Sequence, residues 1–315
     1  MRRRVLGFAI AITALPVLLA PVPALAATDR ILPNAIAFWN SEHGLTGGGY
    51  PYFNSPGKIS MTIDGGRTFR TVLKTDGGVV WLDTAGSEDA WAVVQANSED
   101  RYLLHTGDGG ATWNLVLPYV RTETPGFGSP LIGLAVTTGS YAPAGGTRFI
   151  ATNDGGATWK RRSSPCPRKQ TENALATLAS PERAWAVCGL EAGTGAQAKM
   201  IYRSTDGGHH WQRLVNVKFG GCDAGMCSLG YPSGLSFARG FGFMWQEGDW
   251  GYSTRTGGRH WKLARDAGLV GSASVVSERQ GFVLTYRRHG PSLLETEDAG
   301  LTWTGVHRWR RGHSG

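Results

Sequence analysis

The sequence predicts an all-β fold: a β-propeller of four-stranded antiparallel blades. Three observations carry that expectation. One eight-residue pattern recurs six times at spacings of 42 to 52 residues. A short apolar run precedes each copy. The composition holds 46 glycines and 12 tryptophans in 315 residues. A period of that length suits a four-stranded blade. Glycine at that density without a three-residue period requires many tight turns, and that much tryptophan requires repeated burial of large rings. Six copies favour six blades; seven stays open, with a seventh lacking the pattern.

The copies read "TIDGGRTF" (62–69), "TGDGGATW" (106–113), "TNDGGATW" (152–159), "STDGGHHW" (204–211), "TRTGGRHW" (254–261) and "TEDAGLTW" (296–303). A hydroxyl and an acid flank the entry to a turn, where both bond local backbone groups. The glycine pair supplies the positive φ of a tight hairpin. The acids are Asp64, Asp108, Asp154, Asp206 and Asp298, with Thr256 in the fifth copy. The aromatic residue then opens the outgoing strand: Trp113, Trp159, Trp211, Trp261 and Trp303, with Phe69 in the first copy. Each copy is thus strand, turn, strand, with the ring packing between sheets. His209 and His210 are successive residues near a strand start. They point to opposite faces and do not chelate one metal.

The upstream runs are "AIAFWN" (35–40), "DAWAVV" (89–94), "LIGLAV" (131–136), "RAWAVCG" (183–189), "RGFGFMW" (239–245) and "QGFVLTY" (280–286). With little alternation, they suit the second strand of each blade, buried on both faces. Inner strands are expected at 79–84, 174–179 and 272–277, and residues 31–34 are expected to pair with the last blade and close the ring.

The S/T-x-D-x-G-x-T-W pattern resembles the Asp-box, or BNR, repeat. Its even spacing over residues 35–306 resembles the propellers related to the photosystem II stability and assembly factor. More distantly it is similar to sialidase-like propellers. The repeat also occurs in xyloglucan-cleaving hydrolases and sortilin-type receptors. The resemblance implies structural acids in the turns and a site at the central mouth of the opposite face. The absent acid at Thr256 argues against catalysis by any one box.

The first 26 residues place Arg2, Arg3 and Arg4 before an apolar run and a small-x-small end at Ala24-Leu25-Ala26. That is the pattern of a secretory signal peptide. The expected division is leader 1–26, one propeller 27–306 and a basic tail 307–315, with a secreted or periplasmic product that does not stay in a membrane. The formal charge of +8 falls to +5 without the leader's three arginines. The remaining lysines and arginines are scattered, which excludes a nucleic-acid stripe. In an exported chain the four cysteines favour disulfides. Of three possible pairings, Cys166–Cys188 and Cys222–Cys227 are preferred, the second closing a short local loop. No cofactor or metal site is expected, and the chain reads as a monomer.

Function is sought in the loops opposite the turns. Candidate ligand-binding residues are Tyr50, Tyr52, Trp245, Glu247, Asp249, Trp250, Arg287 and Arg288, a set of aromatics beside charges suited to a sugar or peptide. The loops 41–57, 118–130 and 216–233 are expected around the same mouth. No catalytic residue is assigned. A nucleophile elbow, a zincin helix and a phosphate loop are all missing from the sequence. Arg30 to Pro33 ("RILP") is only a faint match to the arginine-bearing entry of sialidases. Arg101, Arg148, Arg203 and Arg239 do not single out a triad. Two readings follow. The first is a non-enzymatic scaffold binding a protein or glycan at the envelope or outside the cell; the second is a secreted glycoside hydrolase of sialidase-like or xyloglucanase-like type.

Overall fold

A computed structural model describes residues 31–49, 55–97, 100–120, 122, 124–137, 147–168, 170–247, 251–287 and 290–310. The expected leader, 1–26, lies outside them. Six four-stranded antiparallel sheets follow one another along the chain, each in sequence order from its innermost to its outermost strand. They form a six-bladed ring, which settles the blade count. Blade one runs from inner strand Pro33–Phe38 to outer strand Arg70–Thr75, and blade two from Gly78–Ala85 to Asn114–Leu117. Blade three runs from Gly126–Phe127 to Lys160–Arg162, and blade four from Asn173–Leu178 to Gln212–Val217. Blade five runs from Tyr231–Ala238 to Lys262–Leu263, and blade six from Val270–Val275 to Thr304–Arg308.

In blades two to six the apolar runs are second strands: Asp89–Gln95, Gly133–Thr137, Ala184–Gly193, Phe241–Glu247 and Gly281–Arg287. In blade one the expectation is off by one strand. Its apolar run falls in the inner strand, and the second strand is Gly44–Gly48, "GLTGG", inside what read as a loop. Three glycines leave no apolar signature. The strand is nevertheless buried throughout, because neighbours close over it: a Cβ on Gly44 would meet the Phe38 ring at 2.3 Å, and one on Gly47 would meet Val79 Cγ1 at 2.3 Å.

The ring closes without exchanging a strand, contrary to the expectation for 31–34. Pro33 pairs with Gly48 of its own blade. Blades six and one meet instead through Ile36 N–H donating to Ser272 Oγ at 3.1 Å and Phe38 N–H donating to Ser274 Oγ at 2.9 Å. The Phe38 and Phe282 rings stack at 3.8 Å. The last strand continues through Arg308, two residues past the boundary expected at 306, and Trp309 packs on Phe69 at 5.3 Å.

The repeated turn is a closed hydrogen-bond unit. In blade two, Thr106 Oγ1 donates to Asp108 Oδ1 at 2.7 Å and accepts Gly110 N–H at 2.9 Å. Asp108 then accepts Thr112 N–H at 2.8 Å and Thr112 Oγ1 at 2.6 Å. Blades one, three and six repeat the set. These bonds favour the ionised carboxylate, with the threonine bonds the main cause, and hold Asp64, Asp108, Asp154 and Asp298 at about 2. In blade four the His210 ring takes the threonine's place on Asp206 Oδ2 at 2.6 Å, while His209 contacts Arg162. His210 amide and ring bonds lower Asp206 further. In blade five Thr256 Oγ1 accepts the His260 N–H at 2.8 Å, so the turn survives without its acid.

Each turn docks on the preceding blade. Trp91 Nε1 donates to Gly155 O at 2.9 Å, and Trp185 Nε1 to Gly257 O at 3.0 Å. Their rings stack on the next blade's inner strand, Trp91 on Phe127 at 3.7 Å and Trp185 on Phe237 at 4.2 Å. With Phe38 on Phe282, stacked aromatics hold alternate interfaces around the ring: six to one, two to three and four to five. Trp91 and Trp185 are the most deeply buried tryptophans among the described residues. Trp261 is also buried, whereas Trp113, Trp159, Trp211 and Trp303 at the turns are half-buried.

Both preferred disulfides are present, Cys166–Cys188 and Cys222–Cys227. Among the described residues no helix is long and apolar enough to cross a membrane.

Candidate functional site

The inner strands are sheet edges, and each faces the axis with unpaired backbone groups. Side chains of the preceding blade cover part of that edge. Ser236 Oγ accepts Val275 N–H at 2.9 Å, Ser274 Oγ accepts Phe38 N–H at 2.9 Å, and Asp83 Oδ2 accepts Phe127 N–H at 2.6 Å. These three acceptors share one register. The residue after each (Thr84, Phe237, Val275) pairs with Ala90, Gly242 or Gly281, which in turn faces the first hydroxyl of the repeated turn. Asp83 thus stands where two other blades use serine. Thr84 Oγ1 adds a bond to Phe38 O at 3.0 Å, tying blade two to blade one.

On the turn face, the ends of all six inner strands enclose an axial cavity of about 190 Å³. Asp83, Thr84, Thr177, Ser236 and Ser274 line it, and Asp83 is the one ionisable side chain among the described lining residues. Asp83 as a residue is half-buried, and its carboxyl is surrounded by protein. That desolvation pushes it up to about 7, against the Phe127 and Thr84 amide bonds, which pull it down.

Further along the axis from the turn face, two tryptophans meet. Trp245, 3% exposed, lies over Gly234, where a Cβ would sit 1.8 Å from the ring. It stacks on Trp81 at 5.8 Å with an interplanar angle of 18°. Trp81 Nε1 is fixed on Pro125 O at 3.1 Å. The two rings come from blades two and five, which stand opposite each other, so their contact bridges the axis.

The sequence-derived candidates fall out as follows. Trp245 spends its ring on the contact with Trp81. Glu247 is exposed at the end of the second strand of blade five, opposite Tyr231. Arg287 ends the second strand of blade six, opposite Gly290. Tyr50, Tyr52, Asp249, Trp250 and Arg288 lie outside the described residues. Among the expected arginines, Arg101 is buried with its Nε on Gln95 Oε1 at 3.1 Å. Arg203 bonds Gln212 at 3.4 Å and Arg239 approaches Glu278 at 3.8 Å. With Arg148, they belong to four different blades and converge on no common point.

The loop 216–233 leaves the mouth for the rim. Its hairpin, Cys222–Asp223 with Met226–Cys227, wedges beside the outer strands of blades four and five. Asn216 N–H donates to Asp223 Oδ2 at 2.8 Å, and Trp261 N–H donates to Ala224 O at 2.8 Å. Met226 is fully buried there. Behind the loop lies Lys199, also fully buried, whose Nζ donates to Leu229 O, Gly230 O and Gln246 Oε1 at 2.8, 3.1 and 2.7 Å. Neither Lys199 nor Asp83 stood out in the sequence. The signal for Asp83 was an acid in an inner strand whose counterparts carry serine.

The fold and the axis define a six-bladed propeller with a tryptophan pair meeting across its axis and a small cavity lined by Asp83 on the turn face. No family model matches the chain, and no curated protein does. Solved propellers do resemble it. The alpha-L-arabinanase of Penicillium chrysogenum complexed with arabinobiose shares 13% identity over 87% of this chain and 94% of that one, with a TM-score of 0.55. TolB from Acinetobacter baumannii shares 14% over 79% of this chain and 59% of that one, TM-score 0.55. YCF48 from Cyanidioschyzon merolae shares 15% over 88% and 85%, TM-score 0.49. At these identities the likeness is one of fold.

Proposed function

We propose that this chain is an exported, non-enzymatic propeller that binds a protein or glycan partner with the rim of the face opposite the repeated turns. The Trp81–Trp245 contact carries this reading. It places two rings across the axis where a propeller offers a substrate pit, which favours a ligand that meets the rim instead. The candidate residues favour the rim too. Glu247 and Arg287 end the second strands of blades five and six. A glycosidase places two carboxylates at a set separation around the bond it cleaves. The described lining of the axial cavity offers Asp83 alone. The turns, similar to Asp-boxes, serve as staples between blades. Export rests on the leader-like residues 1–26 and fits the two disulfides.

The test uses the mature protein and its Glu247→Gln and Arg287→Ala variants. Each goes to a glycan array, to hydrolysis assays on sialosides, xyloglucan and arabinan, and to affinity capture from host envelope extract. Binding without turnover, weakened in the variants while melting is unchanged, supports the reading. Turnover that Glu247→Gln abolishes overturns it in favour of a hydrolase.

A further inference from the structure

We infer that the axial cavity on the turn face is a binding site for a small monovalent cation of ammonium size, held by Asp83. The argument starts from the register of the inner strands. At this position the structural task is to accept one amide from the next blade, and Ser236 and Ser274 do it with a neutral hydroxyl. Asp83 does the same task for Phe127 with a carboxylate. For the bond alone, the charge is superfluous and its desolvation is a penalty. A cation in the cavity offsets that penalty.

The surroundings fit such a ligand. The cavity of about 190 Å³ exceeds one water's share of about 30 Å³ several times over. Its polar lining includes Thr84, Thr177, Ser236 and Ser274, oxygen-bearing groups that suit a monocation, and none of the described lining residues brings a positive charge. One carboxylate among neutral oxygens matches one positive charge. It under-coordinates a divalent ion, which draws on several charged or carbonyl ligands. The Trp81–Trp245 pair crosses the axis behind the cavity, so entry is from the turn face. Desolvation raises the carboxyl to about 7, and a bound cation favours its ionised form.

The same chemistry has two sources: a free ion such as potassium or ammonium, or the lysine side chain of a partner. The experiment is a thermal melt of the mature protein at pH 8 and constant ionic strength. Potassium, ammonium and n-butylammonium chlorides are titrated against tetramethylammonium, which is too bulky and has no donor. The expected result is a saturable rise in Tm with at least one of the three and none with tetramethylammonium. It is lost in Asp83→Ser, which installs the residue of blades five and six. Potassium and ammonium acting without n-butylammonium identify a free-ion site; n-butylammonium acting as well identifies a lysine site. A flat response to all three, or an equal rise in Asp83→Ser, overturns the proposal. Should Asp83→Ser fail to fold, Asp83→Asn keeps the acceptor without the charge, and the same two outcomes decide.

Discussion

Trp81 and Trp245 come from blades on opposite sides of the ring and stack at 5.8 Å across its axis. An inner-strand residue of blade two meets a second-strand residue of blade five, and the glycine at 234 makes room for the crossing. A contact between opposite blades constrains the ring diameter in a way that contacts between neighbours cannot.

Removing it gives the first prediction. Trp245 is almost fully buried, so Trp245→Ala costs about 3–5 kcal/mol in urea unfolding. Beyond burial, the ring pair contributes about 0.5–1.5 kcal/mol as a coupling energy in the double-mutant cycle with Trp81→Ala. Zero coupling means the rings do not meet in solution.

The turn tryptophans rank below those of the second strands. Trp91→Ala and Trp185→Ala remove fully buried rings that also bond the next blade's turn, and each costs about 3–5 kcal/mol. Trp113→Ala and Trp159→Ala remove half-buried rings and cost less. Equal losses across the four, measured by chemical denaturation, contradict this ranking.

Blade five lacks the acid of its turn, so Thr256→Asp gives His260 the acceptor that His210 finds in Asp206. Melting rises modestly. The reverse change, Asp108→Ala, leaves Thr112 N–H and Thr106 Oγ1 without their acceptor, and melting falls. A fall in Thr256→Asp refutes the equivalence of the turns.

Two sets of carboxylates tilt the pH profile in opposite senses. Asp64, Asp108, Asp154 and Asp298 are depressed to about 2 in the fold. Their stabilisation is present above the unfolded value near ~4 and is lost as pH falls through about 2. Asp83 is raised to about 7, so the fold favours its protonated form. Its share of stability is complete below ~4 and is lost as pH rises through about 7. Asp83→Asn flattens the upper limb alone in low-salt melts read from pH 2 to 8; an unchanged upper limb shows that another group causes it.

The two disulfides differ in reach. Cys166–Cys188 spans 22 residues and ties the segment before blade four to its second strand, so its loss costs about 2–4 kcal/mol. Cys222–Cys227 spans 5 residues and restrains only the wedge hairpin. Cys166→Ala with Cys188→Ala lowers Tm more than Cys222→Ala with Cys227→Ala; the opposite order refutes the argument from loop length.

What could be read in advance was local. The turn chemistry of Thr106, Asp108, Gly110 and Thr112 is complete within seven residues, and second strands such as "DAWAVV" are nearly continuous apolar runs, so six repeats and their hairpins appear in the sequence without any partner in view. The second strand of blade one was hidden because "GLTGG" is a strand only through what packs on it: Phe38 over Gly44 and Val79 over Gly47.

The sequence by itself therefore determined the all-β class, the six repeats and the hairpin turns, and it favoured the cysteine pairing that the structure shows. Each follows from interactions over a few residues, which leave a pattern. Only the tertiary structure decided that the ring closes through Ser272 and Ser274 rather than by a shared strand, that Trp245 meets Trp81 across the axis, and that Asp83 stands in a cavity on the turn face. Those outcomes join residues from different blades, tens to hundreds of positions apart. Whether a side chain faces the axis, a neighbour or water is fixed by the closure of the whole ring, and no local window of sequence contains that information.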